Sequence, residues 1–164
     1  MASPYIVLVG PPNAGKTTLF NQLTGQNSKI VNYPGSTVDV CVGTLPSHAD
    51  SKYTIVDTPG LYSLRPQSDD ERITLRCLQD IRDLTKNKSQ YPDLVVSLVD
   101  VKQASRHLLL TQQLIEQGYP VVVVLNRTAG DSNDALLNSQ TLASELNVPV
   151  LELDVATSKS KSSF

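Results

Sequence analysis

The chain has 164 residues, 40% of them hydrophobic and 18% charged, a length that fits one domain with its own core and needs no disulfide or metal staple. Fourteen basic against sixteen acidic residues leave a net charge of -2, and no lysine or arginine stripe forms that could neutralise many phosphates, which argues against a nucleic-acid partner. No apolar run approaches the ~20 residues that cross a bilayer, the N-terminus has no charged-then-apolar leader, and Cys41 and Cys77 lie outside any C-x-x-C spacing, so the chain reads as soluble, untargeted and reduced.

Tyr5 to Val9 is an apolar run stopped by Gly10 and predicts a first strand, followed by a helix over Lys16 to Leu23. Gln26 to Ser36 is polar and reads as a loop. Val38 to Val42 and Lys52 to Val56 predict two strands joined through the polar turn PSHADS, able to pair as a hairpin. Ser68 stands three residues before Glu71, a capping-box spacing, and opens a helix in which Leu75, Leu78, Ile81 and Leu84 recur at helical period. Thr85 to Gln90 reads as a loop. Leu94 to Val99, Pro120 to Leu125 and Val148 to Leu153 are nearly continuous apolar runs, as in strands covered on both faces. Between them Leu108, Leu109, Leu114 and Ile115 mark a third helix closed by Gly118 ahead of Pro120, and Ala135 to Leu146 a fourth ending before Pro149. Six strands alternating with helices predict an α/β fold around a mostly parallel sheet. Residues 1–155 form the predicted domain, and 156–164 read as a Lys/Ser tail with nothing to bury.

Between the first strand and the first helix, Gly10-Pro11-Pro12-Asn13-Ala14-Gly15-Lys16-Thr17 satisfies G-x-x-x-x-G-K-[ST] in the context the pattern requires. Glycines there let successive backbone N–H groups point at a β-phosphate, and the helix N-terminus adds its positive end. Lys16 would reach the β and γ oxygens, and Thr17, followed by Thr18, would place its hydroxyl on Mg2+. Asp57-Thr58-Pro59-Gly60 closes the third strand: Asp57 is placed to hold Mg2+ through a water, and Gly60 to bring a backbone N–H to the γ-phosphate. Thr37, before the second strand, is the candidate to reach Mg2+ and the γ-phosphate from the preceding loop. His48 and His107 each stand alone and read as solvated or packed, Asp69 to Glu71 as acids favoured at a helix start, and Asp100 as a loop anchor.

These residues resemble the G domain of ferrous iron transport protein B. GPPNAGKTTLFNQLTG is similar to that family's phosphate loop and first helix, NYPGSTVDVCVG to its first switch, DTPGLYSLRPQSDDE to its second, and PDLVVSLVDVKQASRHLLLTQQLIEQGYPVVVVLN to the stretch before its guanine-reading loop. The resemblance implies a three-layer, Ras-like P-loop fold with one antiparallel edge strand, and GTP at the carboxyl ends of the strands. It implies GTP/GDP exchange and hydrolysis, Mg2+ on Thr17, Thr37 and Asp57, and catalytic weight on Lys16, Asn13, Thr37 and Gly60. It further implies a place at the cytoplasmic face of a bacterial inner membrane, on a longer transporter whose helical and membrane parts lie outside these residues, with homo-oligomers as a further partner class. Asn13 implies a bound K+ that supplies positive charge during hydrolysis. Leu61 stands where Ras-like enzymes carry a water-orienting Gln, so the switches' backbone would have to place the water.

The pattern breaks at the base-reading loop. Guanine selection in such proteins rests on N-x-x-D, and this chain has Asn126-Arg127-Thr128-Ala129. Ala129 can accept no hydrogen bond, while Asp131 could substitute if the loop bulges at Gly130. The last base-contact loop falls either at Leu153-Asp154-Val155 or at Ala156-Thr157-Ser158-Lys159. Expected is a site with a firm phosphate grip and weak base selection, accepting ATP/ADP as well as GTP/GDP. Two other readings compete: a nucleotide-sensing module with little hydrolysis, and a soluble GTPase of ribosome assembly, against which the lack of a basic surface counts.

Overall fold

A computed structural model describes residues 4–25, 27–46, 52–80, 91–127 and 137–157. In chain order the elements are β1 (Tyr5–Val9), α1 (Lys16–Thr24), β2 (Ser28–Asn32), β3 (Asp39–Pro46), β4 (Lys52–Asp57), α2 (Asp69–Gln79), β5 (Leu94–Asp100), a 3-10 turn (Val101–Gln103), α3 (Ala104–Glu116), β6 (Val121–Asn126), α4 (Ser139–Leu146) and β7 (Val150–Leu153). The strands form one sheet in the order β2-β3-β4-β1-β5-β6-β7.

β1 lies at the centre because Val7, Leu8 and Val9 are fully buried and its one polar atom, the Tyr5 hydroxyl, sits at the tip of a buried aromatic ring; it pairs in parallel with both β4 and β5. Alternate residues feed two cores. Val7, Val56, Val95, Val99 and Leu125 meet Ile73 and Leu78 of α2, Leu110 and Leu114 of α3 and Leu142 of α4 on one face. Leu8, Ile55, Leu98 and Val124 meet Leu19 and Phe20 of α1 and Val155 on the other. Such two-sided burial is why β1, β5 and β6 read as continuous apolar runs. One hydroxyl pair, Ser97 to Thr111 at 2.8 Å, is buried between β5 and α3 and satisfies itself.

The predicted fold class holds, with one strand more. The sheet has seven strands, not six, because β2, in the segment read as a loop, pairs antiparallel with β3 from Ser28↔Gly43 to Asn32↔Asp39. It escapes pattern recognition because it is an edge strand that buries almost nothing: four of its five residues are exposed and Val31 is half-buried. The expected hairpin of β3 and β4 forms. With β2 outside it, β3 is the one strand running against the rest and lies inside the sheet, not at its edge. The second helix ends at Gln79 with Asp80 extended, short of the predicted Leu84, and the fourth begins at Ser139, where the Asn138 side chain accepts from the N–H groups of Gln140 and Thr141. Residues 81–90 and 128–136, with parts of both predicted helices and the Thr85–Gln90 loop, lie outside the described residues, as do His48 and 158–164.

α1 lies so close to the hairpin that a Cβ on Gly43 would sit 2.3 Å from Thr24 Cγ2 and 3.0 Å from Phe20 Cζ. Both neighbours belong to a buried helix face, so Gly43→Ala must push the Thr24 and Phe20 side chains, or the helix that carries them, out of their packing. Overpacking of this kind costs about 1–3 kcal/mol. A urea-unfolding midpoint equal to that of the unmodified chain would refute this.

Candidate functional site

The loop of residues 10–15 leaves the buried end of β1. Gly10, at φ +152°, passes so close to β5 that a Cβ would lie 2.7 Å from the Leu98 carbonyl oxygen. Asn13 takes a left-handed conformation (φ +63°), and Ala14 N–H donates to the Pro11 carbonyl at 3.3 Å. Gly15, at φ +102°, packs on Asn126 and ends the loop at the first turn of α1. Asn13, Gly15, Lys16, Thr17 and Thr18 line a hollow of about 320 Å³.

Lys16 is buried, and its Nζ donates to the carbonyl oxygens of Gly10 (2.9 Å) and Pro11 (2.8 Å). The ammonium therefore spans the loop. Burial pushes its pKa down, and the nearby Asp57 carboxylate works against that shift.

Asp57, at the end of β4, is only 7% exposed. Its Oδ2 accepts from the Thr17 hydroxyl at 2.6 Å, while its buried Oδ1 has no hydrogen-bond partner among the described residues. Burial raises the carboxyl pKa, opposed by the Thr17 hydrogen bond and by Lys16. A buried carboxylate oxygen with unspent lone pairs beside a hydroxyl is a donor set that suits a small hard cation. Among the described residues no group of three or more His, Cys, Asp or Glu could hold a metal ion, so a cation here would have to complete its shell with ligand oxygens and water, as Mg2+ habitually does.

The segment after β4 is stitched to its surroundings. Thr58 donates its hydroxyl to the Leu8 carbonyl at 2.7 Å, and Leu61 N–H to the Gly10 carbonyl at 3.0 Å. Gly60 lies against the loop so closely that a Cβ would meet Pro12 Cγ at 2.5 Å. Farther on, Arg106 of α3 stacks 4.2 Å over the Tyr62 ring, and Gln113 Oε1 accepts from Leu64 N–H at 2.8 Å. Leu61 is fully buried.

Thr37 is not brought to this cluster. Tyr33-Pro34-Gly35-Ser36 forms a β-turn in which Ser36 N–H donates to the Tyr33 carbonyl at 3.0 Å, with Pro34 second and Gly35 third at φ +76°, the residue order of a type II turn. Tyr33 is buried in the larger core and its N–H donates to the Val38 carbonyl. The turn so anchored holds the exposed Thr37 over a second hollow of about 610 Å³, shared with Asp69, Arg72, Ile73 and Arg76. The segment read as a loop is thus the end of a hairpin pinned by an aromatic side chain.

Asn126, at the end of β6, joins two loops: its Nδ2 donates to the Ala14 carbonyl and its Oδ1 accepts from Val155 N–H, both at 3.1 Å. Arg127 donates its N–H to the Leu153 carbonyl and its Nη2 to the Leu137 carbonyl at 3.0 Å. Ala129 and Asp131 lie outside the described residues. Asp154 Oδ1 accepts from the N–H groups of Ala156 and Thr157, so the last loop is an Asx-type turn with Val155 buried beneath it; Gln22 of α1 also donates to the Val155 carbonyl. Of the lesser candidates, His107 is packed, accepting from Asp100 N–H on Nδ1 at 3.1 Å, and Asp100 caps the following 3-10 turn through Lys102 N–H. The links made by Asn126, Gln113 and Arg106 left no trace in periodicity or spacing, since each joins residues far apart in the chain.

A mostly parallel sheet whose first strand runs into a glycine loop, with lysine and hydroxyl at the next helix start and a buried aspartate on the neighbouring strand, defines a P-loop nucleotide-binding fold. The chain belongs to the ferrous iron transport protein B family, whose family model matches residues 4–163. It is 37% identical over 153 residues to the Fe(2+) transporter FeoB of Escherichia coli K12, an alignment covering 90% of this chain and 18% of that one. Two solved structures share the fold. The cytosolic domain of T. maritima FeoB in its GMPPNP form has a TM-score of 0.78 at 30% identity, covering 94% of this chain and 57% of that one. The FeoB G-domain of Methanococcus jannaschii has a TM-score of 0.73 at 33% identity, covering 97% and 90%. The chain spans 13–18% of the length of the curated relatives it matches. Among the described residues no helix is long and apolar enough to cross a membrane.

Proposed function

We propose that this chain binds and hydrolyses GTP with Mg2+ and serves, on the cytosolic side of a membrane, as the nucleotide switch of a ferrous iron transporter. The observation that carries the reading is the joining of Lys16, Thr17 and Asp57 around one loop, with Lys16 spanning the loop carbonyls and one oxygen of Asp57 unspent. In the loop from Gly10 to Thr18 the backbone N–H groups of Asn13 to Thr18 cradle the phosphates while Gly10, Pro11 and Pro12 shape the turn, Lys16 grips the β and γ oxygens, and Gly60 N–H approaches the γ-phosphate beside Pro12. Thr17 and Asp57 would hold Mg2+, with Thr37 joining them once the first-switch turn moves. Bound there, the ion would draw negative charge from the phosphate oxygens. Thr37 reaches the cation only if Tyr33 leaves or pivots in its buried seat, which gives the switch two discrete positions. Asn126 and Arg127 shape the base side, where Ala129 replaces the guanine-reading acid, so ATP enters as well as GTP.

Asn13 is placed to hold K+ as a source of positive charge during hydrolysis. Phosphate release should then run faster in K+ than in Na+, and Asn13→Ala should erase the difference; equal rates for the unmodified chain in the two salts would remove potassium from the mechanism.

Leu61 favours a second reading, a nucleotide sensor that scarcely hydrolyses. It is buried and offers no group to orient water. Multiple-turnover phosphate release from GTP with Mg2+ separates the two: several turnovers per chain support the enzyme, and binding without turnover supports the sensor.

A further inference from the structure

The second switch is pinned at a point that no sequence motif marks. Thr74, in the second turn of α2, is fully buried. A threonine inside a helix ordinarily gives its hydroxyl proton to the carbonyl four residues back. Here that acceptor, Asp70 O, is 3.4 Å away, whereas the Pro59 carbonyl oxygen is 2.9 Å away. One proton serves one good bond, and the shorter one crosses from the helix to the switch.

We propose that Thr74 is a positioning residue for nucleotide recognition: by holding the Pro59 carbonyl it fixes the Pro59–Gly60 peptide so that Gly60 N–H is preset toward the γ-phosphate. The peptide unit is planar and trans, so its N–H points opposite to its carbonyl. A carbonyl drawn toward α2 leaves the N–H directed away from that helix. Neighbouring points are fixed as well, Thr58 by the Leu8 carbonyl and Leu61 N–H by the Gly10 carbonyl. Gly60 itself lies against Pro12, and its N–H finds no acceptor among the described residues. A donor fixed in advance avoids reorganisation when charge arrives. The same bond makes α2 a reporter: a shift of that helix turns the peptide, and occupation of the N–H by phosphate holds the helix. The inference rests on the reading of Gly60 as the γ-phosphate donor.

The test compares equilibrium binding of GMPPNP and GDP, with Mg2+, to the whole chain and to Thr74→Val, Thr74→Ala and Thr74→Ser. Losing one charge-assisted hydrogen bond weakens binding by about tenfold or more. Val and Ala are expected to lower GMPPNP affinity by that factor and leave GDP affinity within about twofold, because GDP has no γ-phosphate; Ser, which keeps the hydroxyl, restores the GMPPNP-to-GDP ratio. Val or Ala variants that bind GMPPNP like the unmodified chain overturn the inference. So do variants that lose both nucleotides equally, or a Ser variant whose ratio departs from the unmodified one, an outcome still readable if the other two do not fold. An unmodified chain that binds neither nucleotide overturns the phosphate-site reading itself, and this inference with it.

Discussion

Lys16→Ala should lower affinity for nucleoside triphosphates by more than about a hundredfold and abolish phosphate release. A hydrogen bond from a charged donor contributes about 1.5–3 kcal/mol, and an ammonium reaching both β and γ oxygens makes two, so about 3 kcal/mol or more is at stake, which is about two powers of ten in affinity. The protein has already met part of the cost of burying this charge through the Gly10 and Pro11 carbonyls and the nearby Asp57. Truncation at Lys16 also leaves the Gly10 carbonyl with the Leu61 N–H alone and the Pro11 carbonyl with the longer bond from Ala14 N–H alone, so a modest loss of stability should accompany it. Calorimetric titration with GMPPNP, with far-ultraviolet dichroism to establish folding, decides the matter: a folded variant binding within about threefold of the unmodified chain would mean that Lys16 is only a tie for its own loop.

The second large effect concerns the base. An aspartate in the N-x-x-D position accepts two hydrogen bonds from guanine, and the missing pair at Ala129 should remove two or more powers of ten from the preference for GTP over ATP. The ratio of affinities is therefore expected below about a thousandfold, the discrimination that a fully hydrogen-bonding site can exceed. Ala129→Asp should raise it by about a hundredfold. If Asp131 has taken over the role, Asp131→Ala will lower GTP affinity and leave ATP affinity alone. Competition titrations with GMPPNP and AMPPNP provide both readings, and a ratio well above a thousand in the unmodified chain, unaffected by Asp131→Ala, would show that guanine is selected by other groups.

Much of the sheet was legible because burial leaves a pattern in the chain: β1, β5 and β6 are packed on both faces and contain few residues that could tolerate water. β2 was illegible for the opposite reason. It exists through backbone pairing with β3, and Ser28, Lys29, Ile30 and Asn32 remain exposed. The phosphate loop announced itself through glycine spacing, since Gly10 and Gly15 occupy conformations and contacts that side chains resist. Thr37 was placed by analogy of position alone, and the buried Tyr33, invisible as an anchor in a polar segment, decides where it sits.

The sequence by itself determined six of the seven described strands and their alternation with the helices, the glycine-lysine-threonine loop, the aspartate at the end of its strand and the alanine at the fourth position of N-x-x-D. Each is a matter of residue type and local spacing, and local backbone preference and side-chain chemistry act within a few residues. Tertiary structure alone decided that Tyr33 is buried in the larger core beside the turn that carries Thr37, and it also decided that Asp57 keeps one oxygen unspent while the other takes the Thr17 hydroxyl, that Asn126 ties the phosphate loop to Val155, and that Thr74 turns from its own helix to grip Pro59 through long-range bonds. Those bonds join residues 15 to 112 positions apart, and directional contacts at such separations depend on which faces meet when the chain folds, which no local pattern records.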